Sequence, residues 1–275
     1  MKQNNHVGIL IPRTPTSLRK PLREKLWKIS LDSILNQQYD NWTAIIIGEK
    51  EPVADSRVLF IEMDMAKKGE KLNAAIEYIA AGRQRFDYII RMDDDDIISE
   101  TALQRFAHTD ADCIYDQYHA FWEVFSGKLS IQKRAWMANT VMHKTGHALF
   151  EMTEYDKPCY LLNSDHSESW HKYYRGRQII SSPQYEPLYV RILSPFTVTA
   201  GVNKQDDVYR QYIEYLSHFG DWAEKKSRIK GFERSFKQLE ALQDSSFEWS
   251  LPASRKPALG LSAVKKLITR IFPHS

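Results

Sequence analysis

Residues 86–100, FDYIIRMDDDDIISE, set four consecutive aspartates at the end of a short apolar run. Tyr88, Ile89 and Ile90 read as a buried central strand, because a continuous β-branched and aromatic run of this length suits one. Adjacent carboxylates repel, so Asp93, Asp94, Asp95 and Asp96 can sit together only where water, basic groups or a cation offsets their charge. On an extended backbone Asp93 and Asp95 point to one side and Asp94 and Asp96 to the other, so that two hard oxygen ligands converge on one divalent ion. The competing reading is a solvated acidic loop. Position favours the ligand site, since α/β sheets bind at the carboxyl ends of their strands. An EF-hand is excluded: Ile98 stands where that calcium loop needs Gly, and Gln104 where it needs the bidentate Glu.

The remaining composition narrows the setting. A chain of 275 residues, 43% hydrophobic and 12% aromatic, can bury a substantial core. A net charge of +3 is too small to imply nucleic acid. Cys113 and Cys159 form no CxxC pair, which suggests a reducing compartment. The apolar stretch near the N-terminus is too short for a signal peptide, and no run approaches a membrane span. The expectation is a cytoplasmic protein.

Strand and helix alternate up to the aspartates. Residues 6–11 form an apolar strand stopped by Pro12 and Pro15, and the loop behind it carries Arg13, Thr14, Thr16 and Ser17, donors suited to an anion. Residues 21–38 have helical apolar spacing, with Pro21 tolerated in the first turn. NWTAIIIG at 41–48 is a strand, 58–61 a short one, and 67–81 a basic loop entering an amphipathic helix. This order predicts an α/β fold with a mostly parallel sheet flanked by helices.

Three segments carry a family resemblance. SLDSILNQQYDNWTAIIIGEK (30–50), KLNAAIEYIA (71–80) and RMDDDDIIS (91–99) occur in the order, and with the content, of the nucleotide-binding half of GT-A fold glycosyltransferases, the inverting family two. RMDDDD and LYVRILSPFTVTAG (188–201) also resemble a rhamnosyltransferase subgroup. The resemblance implies a Rossmann-like GT-A domain over 1–202, with a nucleotide-sugar half at 1–100 and an acceptor half at 101–202. It also implies transfer of a sugar from a nucleotide-diphospho-sugar to a hydroxyl of a glycan or lipid-linked glycan, assisted by Mn²⁺ or Mg²⁺, as in bacterial surface polysaccharide synthesis. Asp93 and Asp95 match its Asp-x-Asp motif: Asp95 as metal ligand, Asp93 on the donor ribose or the metal, Asp96 in support, and Asp94 facing away. Arg91 is a phosphate partner or the acids' counter-charge. Pro12, Arg13 and Thr14 match the first nucleotide-contacting turn, and Lys71 and Asn73 reach toward the donor. One departure concerns the second strand, where the family presents Asp-Asp and this chain has Gly48-Glu49. Glu49 is then the candidate for the base contact.

An inverting transferase needs a base for the acceptor hydroxyl. LLNSDHSESWHKY at 161–173 resembles the family's acceptor helix, with Asp165 the catalytic candidate and Glu168 its competitor three residues on; Asp165 as a helix N-cap is the structural alternative. His166 is either a further metal ligand or structural. Trp122, Trp136, Trp170 and Tyr118 suit sugar stacking or core packing. His143 and His147 have the spacing of a zinc pair but lack the catalytic Glu, and Gly127-Lys128 falls short of a P-loop; both read as structural. Residues 203–275 read as a helical C-terminal extension. Within it, 259–272 places Lys265, Lys266 and Arg270 beside an apolar face, as a helix does that lies on an anionic membrane or docks on its own domain. The rival functions are a GT-A-like nucleotide-sugar-binding protein without turnover and a sugar nucleotidyltransferase, whose glycine-rich signature is missing here.

Overall fold

In the computed structural model, residues 4–134, 138–154, 157–164, 167–194, 206–222 and 226–242 are described. In chain order the elements are β1 (Val7–Pro12), α1 (Pro21–Leu35), β2 (Trp42–Gly48), β3 (Val58–Glu62), α2 (Lys68–Ala80), β4 (Tyr88–Arg91), β5 (Ile97–Ile98), β6 (Cys113–Tyr115), β7 (Tyr118–Glu123), β8 (Lys128–Lys133), β9 (Val141–Lys144), α3 (Thr145–Ala148), β10 (Glu151–Glu154), β11 (Lys157–Tyr160), α4 (Ser167–Tyr173), β12 (Ile179–Ser181), β13 (Tyr189–Leu193), α5 (Asp206–Ser217) and α6 (Glu233–Glu240).

A seven-stranded sheet runs β12-β6-β9-β4-β1-β2-β3. All of its neighbours pair in parallel except at β9, which runs against both β4 and β6. Strand side chains alternate between two faces that are both covered, which is why β1, β2 and β4 are buried throughout and almost wholly apolar. Ile9, Ile11, Ala44, Ile46 and Ile90 turn to one face, where Trp27 and Ile34 of α1 pack. Leu10, Ile45, Ile47 and Ile89 turn to the other, against Leu72, Ala75, Ile76 and Ile79 of α2. The helices that the 3.6-residue spacing predicts therefore cover opposite faces, giving the expected mixed α/β fold with a mostly parallel sheet.

A second sheet, ordered β5-β13-β7-β8, stands beside the first. Its hold on the aspartates is direct: β5 continues the chain two residues after Asp95 and pairs antiparallel with β13 through Val190–Ile97 and Tyr189–Ile98. The C-terminal helices belong to these cores. Ile229, Phe232, Phe236 and Leu239 pack with Leu26 and Ile29 of α1 and Trp122 of β7, and Phe236 stacks on Trp122 at a centroid separation of 5.0 Å. Tyr209, Tyr212, Ile213 and Leu216 close over Phe121 and Leu193. Gly231 is needed where α6 approaches: it has φ +81°, and a Cβ there would lie 2.2 Å from Ser99 Oγ. No described helix is long and apolar enough to cross a membrane. The amphipathic segment 259–272 lies outside the described residues.

Candidate functional site

The aspartates do not continue as an extended strand. Asp96 N donates to Asp93 O at 3.4 Å, so residues 93–96 form a turn at the carboxyl end of β4. The expected two-and-two division of carboxylates is thereby corrected: each acid takes its own direction and its own partners.

Asp94, the residue expected to face away from a ligand, turns into the protein, 1% exposed, and accepts from Arg13 Nη1 (2.8 Å), Arg23 Nη2 (2.6 Å), Thr14 N (2.7 Å) and Thr14 Oγ1 (3.0 Å). Burial pushes its protonation upward, but Arg23 and Arg13 outweigh burial and hold it below the usual carboxylate range. Asp94 thus locks the turn after β4 to the turn after β1, 80 residues away in sequence.

The same contacts redefine the residues expected to face a donor. The Arg13 side chain is fully buried, paired with Asp94, Glu24 and Glu51, and lies 4.3 Å over the Trp27 ring. Gly48 makes room for it, since a Cβ there would come within 2.5 Å of Arg13 Cβ. This gives the Gly in the Gly48-Glu49 departure a packing reason. Pro12 ends β1 in register with Ile47. Lys71 is also turned inward: its Nζ donates to Arg13 O (2.6 Å) and Asp64 O (2.7 Å), and burial lowers its proton affinity. In this conformation Arg13 and Lys71 brace the turn, which corrects the expectation that they reach outward. Glu49 stays at the surface, accepting from Thr16 Oγ1 (3.0 Å) and Arg19 Nη1 (3.1 Å).

The other three acids have partners of their own. Asp93 pairs with Lys68 at the start of α2 and accepts from Asn139 Nδ2 at 2.7 Å. Burial would raise it, but Lys68, with Arg191 and Arg91, holds it well below the ordinary range. Asp95 meets Arg23 Nη1 at 2.8 Å. Burial, opposed by Arg23 and helped by repulsion from Asp94 and Asp93, pushes it up to about 6. Asp96 accepts from the Tyr189 hydroxyl and from Ile192 N (2.7 Å), and burial next to Asp95 raises it well above normal against the pull of Arg191.

A donor diphosphate with a divalent cation can be tested against this set. Asp93, Asp94 and Asp96 all have both oxygens engaged by protein donors, but one Asp93 partner is the half-exposed Lys68 side chain, and the Asp93 side chain itself is 20% exposed, so it can take a cation by exchanging Lys68 for it. Asp95 has Oδ2 on Arg23. Asp93 and Asp95 are therefore the candidates, and Mg²⁺ or Mn²⁺ in nucleotide sites uses one or two carboxylates completed by phosphate oxygens and water. The residues fit that arrangement. They do not form an all-protein cage, for no group of three His, Cys, Asp or Glu side chains suited to a metal occurs among the described residues.

Segment 161–164 comes to the same place. Arg91 Nη1 donates to Leu162 O at 3.0 Å, and Asn163 Nδ2 donates to Asn73 Oδ1 at 2.9 Å, so the strand carrying the acids and the helix carrying Asn73 both hold the stretch just before Asp165. Asp165, His166 and Trp136 lie outside the described residues. Glu168 falls in α4, and Trp170 of that helix is core, donating to Leu161 O at 3.0 Å. Trp122 is likewise core, whereas Tyr118 is partly buried at its edge. His143 is buried in β9 against Tyr174 (2.7 Å), and His147 in α3 joins Tyr173 (2.8 Å) and Asp112 (2.9 Å), so the two do not share a helix.

Sequence reasoning passed over Arg23, Lys68, Asn139, Tyr189 and Arg191. Arg23 had a readable signal: it occupies the apolar stripe of α1 with Leu26, Trp27, Ser30 and Ile34, where an arginine requires a buried acid.

These features define a mixed α/β protein with an acidic turn at the carboxyl end of a central strand. No protein-family model matches the chain, and no curated protein matches it. Among solved structures it is similar to S. aureus TarS residues 1–349, at 10% identity over 86% of this chain and 71% of that one, with a TM-score of 0.44. The same TarS fragment in complex with UDP-GlcNAc gives 10% identity, 77% and 65% coverage and a TM-score of 0.46. Rv0371C of Mycobacterium tuberculosis H37Rv, in complex with manganese, gives 13%, 75% and 97%, with a TM-score of 0.36.

Proposed function

We propose that the protein is a metal-dependent inverting glycosyltransferase that uses a nucleotide-diphospho-sugar donor. The observation that carries this reading is the convergence at one strand end: the acid turn, the start of α2 at Lys68, and segment 161–164 leading to Asp165 meet there through Lys68–Asp93, Arg91–Leu162 and Asn73–Asn163. A site for this reaction needs those parts together, namely oxygen ligands, cationic groups for a diphosphate, and a carboxylate near the acceptor.

Asp93 and Asp95 hold Mn²⁺ or Mg²⁺, which, when bound, offsets the charge developing on the departing diphosphate. Lys68 exchanges its pairing with Asp93 for the diphosphate, while Arg91 stays on Leu162 and orients the segment before the base. Asp165 takes the proton of the acceptor hydroxyl, with Glu168 the competing carboxylate. Asp94, Arg13, Thr14 and Lys71 keep the turns after β1 and β4 in register, and Glu49 stands at the nucleoside end. The acceptor is a glycan or lipid-linked glycan, and the 188–201 resemblance favours a deoxyhexose. The protein works in the cytoplasm, with segment 259–272 as a peripheral contact to the inner membrane face.

The test is incubation with UDP-, GDP-, dTDP- and CMP-sugars in the presence of Mn²⁺, reading thermal stabilisation and release of free nucleotide. Stabilisation and slow hydrolysis by one donor are expected. Stabilisation without release, even with glycan acceptors, would replace a transferase with a binding protein, and no effect from any donor would remove the reading.

A further inference from the structure

A small cavity lies where β7 and β13 meet the turn leading into β9, lined by His119, Phe121, Asn139, Thr140, Tyr189 and Arg191. It has space for a water-sized group, so it admits one substituent of a larger ligand and not a ring. Its walls touch the acid turn twice. Asn139 Nδ2 donates to Asp93 Oδ2 at 2.7 Å, and the Tyr189 hydroxyl donates to Asp96.

The Asn139 amide has a fixed orientation, because an ionised carboxylate only accepts and the end facing Asp93 must be the nitrogen. That leaves Asn139 Oδ1 as an acceptor. Asn139 is 9% exposed, and Oδ1 is buried with no hydrogen-bond partner among the described residues. Buried acceptors without donors are costly and uncommon, and they mark places where a ligand or a water completes the structure. The other walls suit a hydroxyl. Arg191 brings a guanidinium that feels Asp96 and Asp93, and Phe121 supplies an apolar side. His119 is kept neutral by burial, down to about 3, so it adds no charge that would select an anion.

We propose that this cavity receives one hydroxyl of the transferred sugar, with Asn139 Oδ1 accepting from it and Arg191 donating to it, so that Asn139 and Arg191 determine which sugars are taken. This rests on the donor reading above. A donor held at Asp93 lies one residue from the cavity, because Asn139 is at once the partner of Asp93 and part of its wall.

The experiment is calorimetric titration, with Mn²⁺, of three probes: the nucleotide sugar that stabilises the wild type, its nucleoside diphosphate, and the set of monodeoxy analogues of that sugar nucleotide. One analogue should bind the wild type at least about 10-fold more weakly than the parent, because it forfeits two hydrogen bonds, one of them to a guanidinium. In Asn139→Ala that discrimination should shrink by about 3- to 10-fold, the scale of one neutral hydrogen bond, leaving the Arg191 share, while nucleoside diphosphate affinity stays at the wild-type value. Persistence of the full discrimination in the variant would overturn the proposal, as would the absence of any discriminated analogue, which is the result if the cavity holds only a structural water. Equal weakening of the nucleoside diphosphate and the sugar would also overturn it, since Asn139 would then act only by holding Asp93. Arg191→Lys, which keeps the charge beside the acids but not the planar fork, provides the second variant should Asn139→Ala fail to fold, with the same expected loss of discrimination. If no nucleotide sugar binds the wild type, the donor reading itself falls and the inference with it.

Discussion

Replacing Asp94 with alanine should damage stability more than replacing any other acid of the turn, although all four look equivalent in sequence. Asp94 receives four donors, two from guanidinium groups, in a place that is 1% exposed. Removing it takes away one buried partner of Arg23, which keeps Asp95, and the buried partner of Arg13, which keeps the partly exposed Glu24 and Glu51. Breaking a buried ion pair by deleting one partner costs roughly 3–5 kcal/mol. For a chain of this size each kcal/mol moves the melting temperature by about 2–4 °C, so Asp94→Ala should lower it by on the order of 10 °C. The Asp40–Arg57 pair at 3.5 Å, with the Asp40 side chain 95% exposed, is the control; a surface ion pair contributes roughly 0–1 kcal/mol, and Asp40→Ala should barely shift the midpoint. Thermal and urea unfolding read both variants. An Asp94→Ala protein that melts within about 2 °C of the wild type would refute the reasoning, because the clamp between the two turns would then carry no weight.

Other predictions concern chemistry, pH and the C-terminus. Asp165→Asn should retain donor binding and lose turnover by about two orders of magnitude or more, the scale of acid–base assistance; if Glu168→Gln does this instead, in the same rate assay, the base lies one helical turn on. Asp116, buried at the end of β6 and accepting from Leu188 N at 2.8 and 3.0 Å, is pushed up to about 7 chiefly by burial. A raised carboxyl stabilises below its unfolded value near 4 and loses that contribution as pH rises through its folded value. Stability should therefore fall between about pH 4 and 7 by on the order of 1 kcal/mol per unit, and Asp116→Asn should flatten that slope in urea titrations. Deleting residues 259–275 should leave the melting temperature unchanged and abolish sedimentation with anionic vesicles; a destabilised truncation, with no lipid binding by the parent, would mean that the segment docks on protein.

The parts of the fold legible in the sequence are those written in local periodicity. Ile45 to Ile47 can only be a strand covered on both faces, and the spacing of Leu72, Ala75, Ile76 and Ile79 can only bury one side of a helix. The position of the acid turn was legible for the same reason, since the acids follow a central strand. The direction of each carboxylate was not legible, because distant donors set it: Thr14 for Asp94, Tyr189 and Ile192 for Asp96, Asn139 for Asp93. An extended reading of the aspartates ignores these partners, and the turn follows from them. The second sheet was hidden too, as β5 has two residues and exists only by pairing with β13. The partners of Arg13 and Lys71 were not legible either: burial commits these two basic residues to Asp94 and to the backbone carbonyls of Arg13 and Asp64, of which only Asp64 lies near in sequence.

The central claim is that Asp93 and Asp95 hold a divalent cation through which a nucleotide sugar binds at the acid turn. Calorimetric titration of the stabilising nucleotide sugar, with Mn²⁺ and then with EDTA, on the wild type and on Asp95→Asn tests it most directly, with a melting curve to show that the variant is folded. The account predicts tight binding only for the wild type with Mn²⁺, and loss of at least about tenfold in affinity on removing either the ion or the carboxylate, equivalent to about 1.4 kcal/mol. Equal affinity in all four titrations would contradict it.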